Sequence, residues 1–362
     1  MHQILIFNYG RHCFEVKNYL STIFKVLIFA AVGAILFWFA YRGQDLGRLL
    51  GAASEARWGW ILCAVLLMAL SHYSRAVRWG LLLEPFGYRI RTVNLFFSIV
   101  VMYLANMVVP RSGEVVRCGV MTKYEKVKFS RSLGTVVTER IADVVVFVAV
   151  AVVVLMTHAD VALQVLDDNP SIEEYLVGLE SHVPLILLGL VAFVVSVIMV
   201  IRTMVRRNSF GVGERLSRAL HGLKDGMMTV MGLKRRWAFV FHTLLINFIY
   251  FFTTYLFFKS FPFTEHLGLT AALMIFVLGT FGVIVPSPGG IGTWHFIVME
   301  VLALYGVAKD PDGGAFALVA HGMQDLLFAI VGLVAMVMLP FVNSNYQPVV
   351  PDETEPNVQE NS

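Results

Sequence analysis

The chain has 362 residues, of which 57% are hydrophobic and only 15% charged, and its mean hydropathy is +0.72. One soluble core cannot hide that much apolar surface, so composition alone sets the class as a polytopic membrane protein. The formal net charge of +3 is too small to suggest nucleic acid, and the basic residues sit beside apolar runs, where they act first as orientation signals. Three cysteines, Cys13, Cys63 and Cys118, are widely spaced and match no metal or redox pattern, so neither a metal nor another cofactor is expected.

In chain order, Arg11 and Lys17 precede an apolar run over 26–41 that is too long for a cleaved leader and reads as a signal anchor. Further apolar segments fall at about 59–75, 93–109, 140–157, 183–201, 237–258, 268–285, 294–306 and 315–340. The expected organisation is a cytoplasmic segment over 1–23, a membrane domain over 24–340 and an acidic, disordered tail over 341–362. The run Arg75-Ala76-Val77-Arg78-Trp79 reads as an interfacial anchor with its tryptophan at headgroup level. Asp310-Pro311-Asp312 has the spacing of a nucleotide-sugar metal motif but reads better as a turn.

Lysine and arginine counts test the topology. The stretch 158–182 has none, 202–236 has nine and 110–140 has seven, which puts the first outside and the other two in the cytoplasm. If 93–109 dips in and returns on the same side, 22 basic residues fall inside and 5 outside; if it crosses fully, the split is 19 and 8. The re-entrant arrangement is preferred. It gives about six spanning helices plus two broken units, with eight spans as the alternative.

Two apolar stretches break in the same way, at Val108-Val109-Pro110-Arg111-Ser112-Gly113-Glu114 and at Ile284-Val285-Pro286-Ser287-Pro288-Gly289-Gly290. Proline and glycine stop a helix, and the freed backbone groups are tolerated in hydrocarbon only when buried in protein or lining a wet cavity. Val109, Pro110 and Gly113 match Val285, Pro286 and Gly289 at a constant offset, as an inverted repeat would require. Two unrelated helix-terminating loops give the same pattern. Paired breaks of this kind mark transport-type sites.

Polar residues gather at these breaks. Arg111, Arg117 and Arg140 can grip a phosphodiester through paired hydrogen bonds, while Glu114, Glu139 and Asp143 can hold those arginines or meet a cationic or sugar headgroup. Glu139 and Asp143 are four apart and share a helix face. They also suit a helix N-terminus, as the arginines suit a cytoplasmic loop. Backbone amides at Gly289, Gly290 and Gly292 would form an anion nest before a helix starting near Trp294. His295, His321, Gln324 and Asp325 lie in or beside apolar segments, where they serve either a ligand or interhelical hydrogen bonding.

Asn106-x-x-x-Pro110-x-x-Gly113-Glu114-x-x-Arg117, Glu139-Arg140-x-x-Asp143 and Pro286-x-Pro288-Gly289-Gly290-x-Gly292 together resemble the flippase-like transmembrane domain of lysylphosphatidylglycerol synthases, over roughly residues 20–340. The resemblance implies an all-α fold in a bacterial cytoplasmic membrane and translocation of a phospholipid or polyprenyl-linked headgroup. It adds Asn106 to the candidate residues. Family members often carry a glutamate shortly after the last glycine, where this chain has Thr293-Trp294-His295, and an arginine in the final helix, where it has His321 and Gln324. Only an acidic tail with Asp352, Glu353, Glu355 and Glu360 follows the last helix, so no soluble aminoacyltransferase domain is expected. The expected partners are an anionic phospholipid or polyprenyl phosphate and a separate transferase at the cytoplasmic face. A membrane-embedded transferase and an ion-coupled solute transporter remain the alternatives.

Overall fold

A computed structural model of the chain describes residues 45–158, 228–284 and 290–349, with isolated positions between 31 and 41 and between 221 and 226. The segment 183–201 and the basic stretch up to 220 lie outside the described residues. Every regular element among the described residues is helical. The α-helices are α1 (Leu46–Ser54), α2 (Trp58–Leu83), α3 (Thr92–Val108), α4 (Gly113–Glu125), α5 (Phe129–Thr157), α6 (Arg236–Lys259), α7 (Leu269–Ile284), α8 (Thr293–Leu304) and α9 (Gly314–Val342). The chain is an all-α, multi-pass membrane protein.

At 1.5 Å per residue, α2, α6 and α9 reach about 39, 36 and 44 Å, beyond the roughly 30 Å of a hydrocarbon core. The elements containing them, Trp58–Phe86, Arg236–Lys259 and Lys309–Val342, are the three described helices both long and apolar enough to cross. The apolar α3, α7 and α8 are shorter, at 17, 16 and 12 residues. Exposed apolar side chains recur at helical spacing: Ile141, Val144, Val145, Val148 and Val152 on α5, Trp237, Phe241, Leu244 and Phe248 on α6, and Leu326, Ile330, Leu333 and Val337 on α9. Such stripes are costly in water and suited to acyl chains.

Both expected breaks are present. α3 stops at Val108, as the constraint of Pro110 on the preceding residues favours. The chain then doubles back: the Gly113 N–H donates to Asn106 Oδ1 at 2.7 Å, and a Cβ on Gly113 would lie 2.3 Å from the Met102 carbonyl oxygen. Only glycine fits there. At the second break, α7 and α8 pack as a hairpin, and a Cβ on Gly282 would stand 3.1 Å from Trp294 Cα and from the Thr293 carbonyl oxygen. Positions 285–289, including Gly289, lie outside the described residues.

The chain divides into two compact units. One comprises Met1–Met68, Val100–Val116 and Phe251–Met338; the other comprises Ala69–Ile99, Arg117–Tyr250 and Leu339–Ser362. In the first, the aspartate at Asp45 caps α1 by accepting from the Gly47 N–H at 2.8 Å. Tyr41, Leu49, Ala52 and Ala315 form a small core beside α1, and Tyr41 donates its hydroxyl to the Gly314 carbonyl at 3.2 Å. Phe258 and Phe261 pack on Phe316 at 5.4 and 6.0 Å between ring centroids, and Tyr103 stacks on Phe328 at 4.2 Å.

In the second unit, α9 ends at Val342 and Asn343 and Tyr346 are held by side chains; positions 350–362 of the expected disordered tail lie outside the described residues. Asn94 and Asn343 exchange amide hydrogen bonds at 2.8 Å. Asn94 Nδ2 also donates to Glu125 Oε1 at 2.5 Å, and Tyr346 donates its hydroxyl to Glu125 Oε2 at 2.8 Å. Burial, reinforced by that hydrogen bond, pushes the Tyr346 phenol up to about 12.

Candidate functional site

The second unit buries a cluster of charge. α2 continues as one helix through Arg75 and Arg78, and α5 starts at Phe129, which puts Glu139 and Asp143 about three turns inside it and on one face. Glu139 is the centre. Its Oε1 accepts from Arg75 Nη1 and from Arg78 Nη2, both at 2.9 Å, and its Oε2 accepts from Arg117 Nη1 at 2.9 Å. Asp143 completes the square, accepting from Arg78 Nη1 at 2.5 Å and from Arg75 Nη1 at 3.1 Å. Arg140 stands at the rim, 3.4 Å from Glu139 and 3.8 Å from Asp143, with 40% of its side chain exposed.

The surroundings hold each guanidinium in place. Arg78 also donates to Thr243 Oγ1 at 3.1 Å, and Arg75 to the Tyr250 hydroxyl at 3.3 Å. The Arg117 guanidinium lies 4.7 Å from the centroid of the Trp79 ring, a cation–π contact, while Trp79 Nε1 donates to Thr135 Oγ1 at 2.9 Å. Arg78, Arg117, Trp79 and Glu139 are fully buried.

The charge does not balance. Four guanidiniums surround two carboxylates, so two positive charges are left over among the described residues. Arg117 Nε and Nη2 find no acceptor among those residues, and neither does Arg78 Nε. Buried charge without a counter-charge is expensive, so a cluster of this sign is electrostatically suited to a negatively charged group.

This arrangement corrects the reading of residues 75–79 as an interfacial anchor. Arg75 is 3% exposed, and both Arg78 and Trp79 are 0% exposed. Sequence reasoning therefore missed two members of the site. The available signal was spacing: arginines three apart on an unbroken apolar helix suit carboxylates four apart on another. Nor do Glu139 and Asp143 lie at a helix N-terminus, because α5 begins ten residues before Glu139.

Of the other candidates on this side of the chain, Asn106 is a structural brace for the turn at Gly113. Arg111 is exposed with φ at 62°, and Glu114 sits half-buried in the first turn of α4.

The first unit holds a second polar group, made of rings. His321 stacks on Trp294 at 5.1 Å and meets His295 edge-on at 4.8 Å, and His295 meets Tyr41 at 5.6 Å. Asp325 Oδ2 is 4.0 Å from His321 Nδ1. The Gly292 N–H donates to His295 Nδ1 at 3.2 Å, so this amide of the expected anion nest is already engaged. Gly290 and Gly292 have φ of 84° and 91°, the left-handed conformation that turns the chain into α8. Gln324 is half-buried beside this group. His/Cys/Asp/Glu groupings able to hold a metal are absent among the described residues.

A membrane fold of paired, glycine-broken helices with charge buried inside defines an integral membrane protein built around a polar site. The family is shown by comparison: the model of the lysylphosphatidylglycerol synthase TM region matches residues 23–332, and the chain belongs to that family. It is also similar to a UPF0104 membrane protein of Methanocaldococcus jannaschii, at 25% identity over 136 residues, covering 37% of this chain and 39% of that protein. The matched stretch is thus well under half of that relative's length. No solved structure matches the chain.

Proposed function

We propose that this protein moves a lipid with a phosphate-bearing headgroup between the leaflets of a bacterial cytoplasmic membrane, and that the buried arginine cluster holds that headgroup. The observation that carries the reading is that, among the described residues, three buried guanidiniums and a fourth at the rim, Arg140, surround two carboxylates in a chain of this family. Taking a headgroup charge through hydrocarbon costs from a few to more than ten kcal/mol, depending on the scale, and fixed partners of opposite charge lower that cost. Arginine suits the task because its planar fork meets two phosphate oxygens at once. Arg140 is the first contact, being the exposed member of the cluster, and Arg117 offers its remaining N–H groups behind it. Glu139 and Asp143 keep the arginines apart and aimed. They also hold the site together between lipids.

The test is dithionite quenching of fluorescent lipids in proteoliposomes of the purified protein. Wild-type protein is expected to expose inner-leaflet anionic lipid faster than phosphatidylcholine, and Arg140→Ala to slow the anionic lipid by about tenfold, as loss of one charge-assisted contact predicts. Equal rates for all lipids, or an unchanged rate in Arg140→Ala, would overturn the assignment.

A further inference from the structure

We infer that the second unit carries a separate docking site for a phosphate-bearing lipid headgroup, in a cavity of about 320 Å³ that Arg89, Arg91 and Arg235 line. This inference does not rest on the translocation reading. α2 contributes Val77, Gly80 and Leu81 to the cavity and Glu84 follows it on the same side, while by the 100° turn per residue Arg75 lies about 160° and Arg78 about 100° round the helix from Val77, and neither lines the cavity. A ligand here therefore does not touch the buried cluster.

Three features point to a lipid phosphate. The first is level: the cavity sits where the span Trp58–Phe86 ends and the span Arg236–Lys259 begins, and Arg235 bonds Glu84 at 2.7 Å, so both helix ends meet at one membrane surface. That is where headgroups lie. The second is charge. Three arginines and one carboxylate, Glu84, line the cavity, and a second carboxylate, Glu125, accepts from the Arg91 N–H at 3.3 Å behind it at the N-terminus of the 17-residue α3, so one positive charge is left over.

The third feature is shape, because Val77, Leu81 and Leu95 make an apolar wall beside the arginines. A headgroup with attached chains uses both parts. Arg91 is held in place by its hydrogen bond to the Val342 carbonyl at 3.1 Å and by the Tyr346 ring 4.8 Å from its guanidinium, whereas Arg89 is exposed and Arg235 has 61% of its side chain exposed. The last two can move onto a ligand. Basic residues beside a cytoplasmic leaflet also meet the anionic lipids enriched there.

Native mass spectrometry of the full chain, delipidated in detergent, tests this with short-chain phosphatidylglycerol, short-chain phosphatidylcholine and glycerol phosphate as probes. On an Arg140→Ala background, so that lipid held at the buried cluster is not counted, the expected result is one phosphatidylglycerol bound at least about tenfold more tightly than phosphatidylcholine. That advantage should fall on the order of 10- to 30-fold in Arg89→Ala/Arg235→Ala, about fivefold for each charge, and recover in Arg89→Lys/Arg235→Lys. Unchanged thermal unfolding of the alanine variant shows that the loss is local, since both side chains are on the surface. Equal affinity for the two lipids, or full phosphatidylglycerol binding by the alanine variant, would overturn the site. Binding of glycerol phosphate as tight as that of the lipid would support the anion site and assign it to a water-soluble phosphate.

Discussion

Glu139→Gln tests the buried cluster most directly. Glutamine keeps the shape of the side chain but replaces one acceptor oxygen with a donor, facing Arg75, Arg78 and Arg117 at what are now 2.9 Å contacts. The excess over the carboxylates grows from two charges to three. Removing one partner of a buried ion pair costs about 3–5 kcal/mol because the remaining charge stays buried. At about 2 °C or somewhat less per kcal/mol for a chain of this length, the expected drop in Tm is about 5–8 °C. Cys118 is a built-in reporter, being fully buried next to Arg117, while Cys63 is exposed. A thiol-reactive dye in detergent, on a background with Cys13 and Cys63 replaced by serine, reads the unfolding of this unit. Adding Arg117→Gln removes one of the stranded charges, so the double variant should be less destabilised than the sum of the single ones by about 0.5–3 kcal/mol. A Tm within about 1 °C of the parent, or strict additivity in the double variant, would refute the network.

Three further outcomes follow from the packing. Gly113→Ala forces a Cβ to within 2.3 Å of the Met102 carbonyl oxygen, so it should lower the yield of folded protein sharply, whereas Gly51→Ala, with nothing within 4 Å, should be neutral or stabilise by up to about 1 kcal/mol; size-exclusion profiles of both compare them. Tyr346→Phe removes the bond to Glu125 and, with the phenol only partly shielded from solvent, should cost about 0.5–1 kcal/mol. Because the phenol is raised from 10.0 to about 12, that contribution is fully present below pH 10 and is lost as the pH rises towards 12, so melting curves of wild type and variant should converge over that interval. Trp79→Ala deletes the ring under Arg117 and the donor to Thr135, and should cost about 3–5 kcal/mol in the same dye assay.

Much of the site was legible because it is local. Glu139 and Asp143 had to share a helix face once they were four apart, and both do bond the same two arginines. The two breaks were legible for the same reason, since proline and glycine act on their own backbone. Arg75 and Arg78 were misplaced because the apolar run seemed to end at residue 75, and a charged residue on a helix looks the same in sequence whether it faces water or a buried carboxylate. Asn106 looked like a ligand-facing amide. Its role as the brace of Gly113 depends on the chain doubling back, which spacing alone does not reveal.

Composition and apolar run length by themselves determined that this is an all-helical membrane protein, because a hydrocarbon core demands internally satisfied backbone and a fixed span length. Local chemistry fixed where helices stop. Tertiary structure alone decided which charges meet: α2, α4 and α5 bring Arg75, Arg78, Arg117, Glu139 and Asp143 together from positions up to 68 residues apart in the chain. It also decided the imbalance of that cluster among the described residues, since counting charges along a sequence cannot tell a solvated arginine from one held in a low-dielectric interior.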